Sequence, residues 1–508
     1  MISRIKTITL LGLELFETEV EVGFSKGLPS VTIVGLPDNA IKESKERIRF
    51  SFASLGINFP KSKIVINLSP ADLKKEGSGY DLPIAAGILL GAYKIDRDLS
   101  DIMFYGELNL KGELKPVRGI LNFSLFAKKK GVKSIVIPYE NRREAGFIKG
   151  LNIYALKNLG EVLNFLLDKE EVKPIKYQGD LNIDNNYDID FSEIKGQFLA
   201  KRVVEIAAAG FHNVLMIGPP GSGKSMISKA LPSVLPRMTE EEILETSLIY
   251  SAAGLLNNEK YLITKRPFRS PHHTISDVGM SGGGKYPKPG EISLAHNGIL
   301  FLDELPYFKK SALEVLRQPL EDGKITVSRS LSTYTYPAKF MLICAMNPCE
   351  DSIGLKKDEY YECSDYEKKR YYSKISSPLL DRIDLNVEMK RINYDELSSK
   401  TKSESSAVIK KRVEKAREIQ LERFKGLKKK IFANGQMNTK HVKKFCNIDN
   451  ESNDLLKFAV NKFSLSARGY FKVLKVSRTI ADLDESSDIK ISHVQEALQY
   501  RTIDFYNI

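Results

Sequence analysis

The run GPPGSGKS at 218–225 constrains this chain more than any other segment, because an apolar stretch, VLMI, precedes it and an apolar-periodic one follows Lys224. The spacing matches G-x-x-x-x-G-K-[ST], and a strand before it and a helix after it are the context in which such a loop cradles phosphate. Glycines at 218, 221 and 223 let the backbone bend so that successive N–H groups and the next helix N-terminus converge on an anion. Lys224 is placed to reach β and γ phosphates, and the Ser225 hydroxyl to ligate Mg²⁺. The candidate nucleotide loop is therefore Gly218, Pro219, Pro220, Gly221, Ser222, Gly223, Lys224 and Ser225. A glycine-rich turn that binds nothing does not account for the flanking pattern.

Such a loop needs an acidic partner at the end of a neighbouring apolar strand. GILFLDELPYF supplies one: the apolar run 299–302 is followed by Asp303 and Glu304. Asp303 is expected to hold Mg²⁺ through water, and Glu304 to orient and polarise the attacking water as catalytic base. Phosphoryl transfer also calls for a polar probe and positive charge near the γ-phosphate. FMLICAMNP ends at Asn347, SPLLDRIDL offers Arg382, and SARGYFKVLKVSRTIADL offers Arg468, with Arg478 further along the same helix. Any one of these arginines alone reads as a surface or ion-pair residue; their order along the chain makes them candidates.

At 508 residues the chain is too long for one hydrophobic core. Short β-rich runs at 30–34, 63–67 and 134–137 alternate with helical stretches such as 40–55, which predicts an α/β domain over 1–168. The polar segment QGDLNIDNNYDID marks a linker over 169–190. A second α/β pattern over 191–390 carries apolar strands at 214–217, 299–302 and 340–345, of the kind buried in parallel sheets. Over 391–508 strand signals give way to amphipathic helical spacing, as at 408–424, and a small helical domain is expected. No apolar run approaches the roughly 18 residues of a membrane span, and the N-terminus meets acidic residues before any signal-peptide core, so a cytoplasmic protein with no membrane contact is expected. The formal charge of +13 favours a polyanionic partner, although a lysine-rich proteome gives the same balance. Four cysteines do not make a disulfide framework for this length and suit a reducing compartment.

The blocks GLPSVTIVGLPDNAIKESKERIR, RPFRSPHHTISDVG, PGEISLAHNGILFLDELPYF and SARGYFKVLKVSRTIADLD resemble the Mg-chelatase-like AAA+ ATPases of the YifB and ComM type, over about 27–483. The resemblance implies an α/β fold class in three parts: a Lon-protease-like N-terminal α/β domain, an AAA+ P-loop α/β/α core and a C-terminal α-helical lid. It implies ATP and Mg²⁺ as cofactors, Arg382 as the finger reaching a neighbour's nucleotide, Arg468 as the second sensor, and a homo-hexamer. PGEISLAHNG resembles an insertion that faces the ring pore, so the stretch from Arg266 to His296 is the candidate substrate contact. A family relative in naturally transforming bacteria is associated with branch migration, which implies single-stranded or branched DNA as partner. The alternative is a chelatase- or chaperone-like ATPase that remodels a protein. His272 and His273, read as adjacent strand residues, point to opposite faces and suit phosphates or a neighbouring subunit better than a metal.

Two departures bear on function. The family commonly carries C-P-C-G after the first sensor and C-x-C before the finger; here those places read Cys349, Glu350, Asp351 and Tyr361, Glu362, Cys363, so no zinc site is expected. The N-terminal domain resembles the Lon proteolytic domain in GELNLKGELKPVRGI and GVKSIVIPYENRRE. Laying KEGSGYD on the family's nucleophile motif puts Gly79 at the serine position and Leu121 at the lysine position, with Ser78 one place off. A non-catalytic domain is expected, without protease activity.

Overall fold

A computed structural model describes residues 2–169, 172–175, 187–284, 288–329, 332–349, 363–393, 403–427, 431–463 and 465–501. Most of the linker segment, 170–171 and 176–186, lies outside the described residues, as do Glu350, Asp351, Tyr361 and Glu362.

The N-terminal sheet is built from β1 (Ile2–Leu11), β2 (Glu14–Ser25), β3 (Ser30–Val34), β4 (Lys63–Ser69), β5 (Ile102–Phe104), β6 (Ser134–Pro138) and β7 (Asn152–Leu156), in the order β3-β4-β2-β1-β5-β6-β7. β1 and β2 form an antiparallel ribbon with Ile5 opposite Val20, so both point into the same core. The helix Asn39–Ser54 begins at Asp38, whose carboxylate accepts the Ile41 N–H at 2.9 Å, an N-cap. The helix Asp81–Tyr93 is apolar all round and is buried from Asp81 to Leu90, as a helix inside a core must be.

The second sheet contains β8 (Val214–Ile217), β9 (Phe268–Arg269), β10 (Ile299–Leu302), β11 (Met341–Met346) and β12 (Leu385–Glu388), all parallel, in the order β9-β10-β11-β8-β12. Every residue of β8, β10 and β11 is buried, because both faces are covered and alternation is lost. One face packs on the alanine-rich helix Phe198–Gly210 in a hydrophobic cluster that continues into the C-terminal helices Ser406–Phe424, Ala467–Leu483 and Ile491–Gln499. Lid and core thus share one apolar interior. Asp384, just before β12, fastens them: it accepts the Asn213 N–H at 3.0 Å and lies 3.3 Å from the Lys472 ammonium. Burial pushes the Asp384 carboxyl up, but Lys472, His212 and Lys475 outweigh it and hold it well below the ordinary carboxylate range.

The two α/β units meet along the helix Glu240–Ala253, which begins in a capping box formed by Thr239 and Glu242. Leu121, Ile148 and Leu262 are buried together there, against Leu125, Phe147, Leu244, Leu248 and Tyr261. The Ser251 carbonyl accepts the Gly119 N–H at 3.0 Å, and Ser251 Oγ accepts the Leu121 N–H at 3.3 Å. A second contact comes from the β1–β2 turn. Gly12 there has φ of +65° and lies so close to Tyr334 that a Cβ would stand 2.8 Å from the ring. Among the described residues no helix is long and apolar enough to cross a membrane.

Candidate active site

Because β8, β11 and β10 are sheet neighbours, the ends of three strands deliver their polar residues to one place. Gly218 leaves β8 so close to the neighbouring chain that a Cβ would stand 2.5 Å from the Met389 carbonyl, and Gly221 and Gly223 hold φ of +80° and +91°. Those three positions explain the glycines. Lys224 is buried, and its ammonium donates to the Gly218 and Pro219 carbonyls at 2.5 and 2.9 Å and to Asn347 Oδ1 at 3.0 Å. Ser225 Oγ donates to Asp303 Oδ2 at 2.7 Å. This hydroxyl and carboxylate are adjacent hard oxygen donors, a set that fits Mg²⁺. Lys224, Ser225, Asp303 and Asn347 are therefore brought together. Pro219, Pro220 and Ser222 complete the loop, with Ser222 fully buried.

Glu304 stands apart from this cluster. It has a left-handed backbone (φ +55°), donates its own N–H to Asp303 Oδ1 at 3.0 Å, and turns its half-exposed carboxylate toward His273, whose Nδ1 lies 3.4 Å away. Arg382 and Arg468 are gathered on a different residue, Glu321. Its Oε1 lies 2.5 Å from Arg382 Nη2 and 3.0 Å from Arg468 Nη2. Arg382 is further fixed by its own carbonyl, which accepts from Asn213 Nδ2 at 2.9 Å. Arg478 turns inward, bonding Asp482 and the Ser486 and Ser487 carbonyls, and belongs to the packing of the lid.

Several expectations need correction. Arg266 is not a substrate contact: it is buried in a bidentate pair with Glu242 at 2.9 and 3.0 Å and also donates to the Pro236, Arg237 and Asn297 carbonyls. His296 is likewise interior, accepting the Lys339 N–H at 3.0 Å, and Arg269 is paired with Glu291. The histidines are not on a strand, since β9 ends at Arg269; in the turn that follows their rings lie 4.1 Å apart on the same side. Cys349 and Cys363, which the sequence left as separate thiols, are joined to each other, because the end of β11 packs against the helix Asp365–Tyr372, where Tyr371 also donates to the Asn347 carbonyl at 2.9 Å.

Sequence reasoning passed over Gln197, which has φ of +54° and donates from Nε2 to the Ser222 carbonyl at 3.1 Å and the Lys390 carbonyl at 2.6 Å. It props the phosphate loop from outside; the Gly196–Gln197 pair before a helix was the available signal. Glu321 gave no signal at all, being one carboxylate in a helix rich in polar residues. In the N-terminal domain, a Cβ at Gly79 would lie 2.2 Å from the Tyr105 ring, and Ser78 Oγ is bonded to Glu107. Leu121 is wholly buried in the joint with the helix Glu240–Ala253.

A five-stranded parallel sheet carrying a phosphate loop, an acidic strand end and a helical lid defines an AAA+ P-loop fold, here joined to a Lon-protease-like α/β domain. Family profiles agree. "Magnesium chelatase, subunit ChlI" matches residues 190–397, "Subunit ChlI of Mg-chelatase" matches 20–141, and "Magnesium chelatase, subunit ChlI C-terminal" matches 403–501. The chain is 39% identical to Competence protein ComM of Haemophilus influenzae, covering 97% of this chain and 96% of that protein. It is 40% identical to the uncharacterized protein YifB of Escherichia coli, covering 99% and 97%. Lon protease 2 of Bacillus subtilis is 29% identical over 168 residues, 30% of each chain. The chain belongs to the YifB/ComM family of Mg-chelatase-like AAA+ proteins.

Proposed function

We propose that this chain is an ATP-hydrolysing AAA+ ring motor that works on DNA in the cytoplasm. The observation that carries the ATPase reading is the joining of the phosphate loop to both neighbouring strand ends, through Lys224 to Asn347 and Ser225 to Asp303. Residues 218–225 hold the phosphates, with Lys224 exchanging its loop carbonyls for phosphate oxygens. Ser225 and Asp303 hold Mg²⁺, which supplies neutralising charge for the phosphates. Glu304 takes the proton of the attacking water and orients it, and Asn347 reports on the γ-phosphate to β11.

Arg382 is read as the finger that reaches a neighbouring subunit's nucleotide and Arg468 as the second sensor in the lid; within this chain both are held on Glu321. A finger acting in trans requires a closed ring, here a homo-hexamer. In this reading residues 1–168 form a non-catalytic platform, 169–190 a linker, 191–390 the motor and 391–508 the lid.

Two facts support DNA as the track: the charge of +13, and the name of the competence protein to which the chain is similar. The test is ATP turnover with no polymer, with single-stranded DNA and with branched DNA, each at low and high salt. Stimulation that fades at high salt is expected, since phosphate contacts release counterions. No effect of DNA on turnover or assembly would refute the DNA reading and favour remodelling of a protein partner.

A further inference from the structure

We propose that the cavity where the two α/β units meet is a binding site for a small organic carboxylate, held by Arg118, Lys288 and the Tyr105 hydroxyl. The cavity measures about 610 Å³, which suits a small organic molecule. Both units supply its wall, the N-terminal one through Tyr105, Glu107 and Arg118, the AAA+ one through Ser251, Leu256 and Lys288. Arg118 precedes the Gly119 whose N–H bonds the Ser251 carbonyl, and a Cβ at Gly254 would stand 3.6 Å from the Arg118 Cβ. Lys288 lies on the short strand Lys288–Pro289, which pairs with Gly282–Gly283.

The polar groups on this wall divide by charge. Each carboxylate already accepts from the chain: Asp38 takes the Ile41 and Gly77 N–H groups at 2.9 and 3.0 Å, Glu76 pairs with Lys74, and Glu107 takes the Ser78 hydroxyl. Glu144 takes the Leu121 N–H at 3.0 Å and the Ser251 hydroxyl, and its burial pushes the carboxyl up, toward the uncharged form. The donors are left over. Among the described residues, neither the exposed Arg118 guanidinium nor the exposed Lys288 ammonium has a hydrogen-bond or ion-pair partner. Tyr105 is 6% exposed, and its hydroxyl likewise bonds to nothing among the described residues, although a buried phenol ordinarily finds a partner. Burial pushes this phenol up to about 12, so it is a donor at neutral pH, and the charges it senses, Arg118 and Glu107, both line the cavity. Two cations and a phenol O–H are matched by anionic oxygen. Asp38 and Glu107 lie on the same wall, so a phosphate dianion would set its second charge against them, whereas a carboxylate carries only one. The partly buried Leu10, Val117 and Leu256 offer an apolar patch to the body of such a molecule. Because Arg118 and Lys288 belong to different units, a carboxylate that bridges them also holds the units together.

The test is saturation-transfer NMR on the full chain with benzoate and hexanoate as probes and inorganic phosphate as competitor, for the parent, Arg118→Gln, Lys288→Gln, Tyr105→Phe and Lys224→Ala. Both carboxylates are expected to bind the parent and Lys224→Ala alike, since the cavity is separate from the phosphate loop. Binding is expected to weaken about tenfold in Arg118→Gln, where a charged hydrogen bond is lost, and several-fold in Lys288→Gln and Tyr105→Phe. Arg118 and Lys288 are exposed, and phenylalanine keeps the ring against Gly79, so parental circular dichroism is expected of all three variants. No transfer from the parent to either carboxylate overturns the proposal, as does equal binding by the parent and Arg118→Gln. Loss of binding in Lys224→Ala would put the carboxylate on the phosphate loop and overturn it too. Displacement of both probes by inorganic phosphate at equal concentration overturns the choice of a carboxylate.

Discussion

Replacing Arg266 by methionine separates a structural role for this residue from a substrate-gripping one. The Arg266 and Glu242 side chains are each 5% exposed and are joined by two hydrogen bonds. Burial pushes the Glu242 carboxyl up; the charge and hydrogen bonds of Arg266 outweigh that and keep it below its ordinary range. Removing one partner of a buried pair costs about 3–5 kcal/mol, since a charge is left unpaired in the interior. The lower end applies here. Arg417 is buried close enough for Arg266 to depress its pKa, after burial itself, to about 9, and loss of Arg266 removes that repulsion and leaves a second cation near Glu242.

The assay is native-state hydrogen exchange over the helix Glu240–Ala253, which reads local opening without assuming that a chain of several layers unfolds in one step. An opening free energy lowered by about 3 kcal/mol accelerates exchange there by roughly two orders of magnitude. The double variant Arg266→Met/Glu242→Gln should recover part of the loss, because neither member of the pair is then left charged alone, while the buried Arg417 loses the nearby carboxylate. Exchange at the parental rate in Arg266→Met, together with weakened DNA binding, would refute the reasoning and return Arg266 to the substrate.

The nucleotide site makes a paired prediction: Lys224→Ala neither retains ATP on a filter nor releases phosphate, whereas Glu304→Gln retains ATP while turnover falls by about 10²–10⁴-fold. Equal retention by both variants would sink the division of roles. The lid joint makes another. Asp384 titrates below its ordinary value of 3.8 in the fold, so its stabilisation is complete above that value and is lost as pH falls, at about 1.4 kcal/mol per pH unit. Asp384→Asn should melt below the parent at neutral pH, with the gap narrowing from about pH 4 toward pH 2; a constant gap on thermal scans by circular dichroism would refute it.

Strands with uninterrupted apolar runs were legible in the sequence to within a residue or two, as for β8 and β10, because burial on both faces leaves a local signature. The phosphate loop, Asp303 and Asn347 were legible for the same reason: each lies at the end of such a strand. The ribbon β1–β2 was passed over, although its side chains alternate, because Glu17, Glu19 and Glu21 on its solvent face resemble a charged coil until the pairing partner is known. Arg266 and Arg468 show the limit more plainly. Both are arginines in family blocks, yet one is paired inside the fold and the other shares Glu321 with Arg382. Nothing local to an arginine reveals which carboxylate the folded chain brings to it.

The position of Leu121 ties the N-terminal domain to its neighbour. A residue that has only lost a reactive group is free to be regained by one substitution. Leu121 is instead part of the seam that fastens this domain to the AAA+ unit, and the place for a nucleophile at Gly79 is filled by Tyr105. A lysine at 121 would carry its ammonium into that apolar seam, and a serine at 79 would displace an aromatic ring. Installing both residues would therefore loosen the seam between the two α/β units and the packing around Tyr105 at the same time.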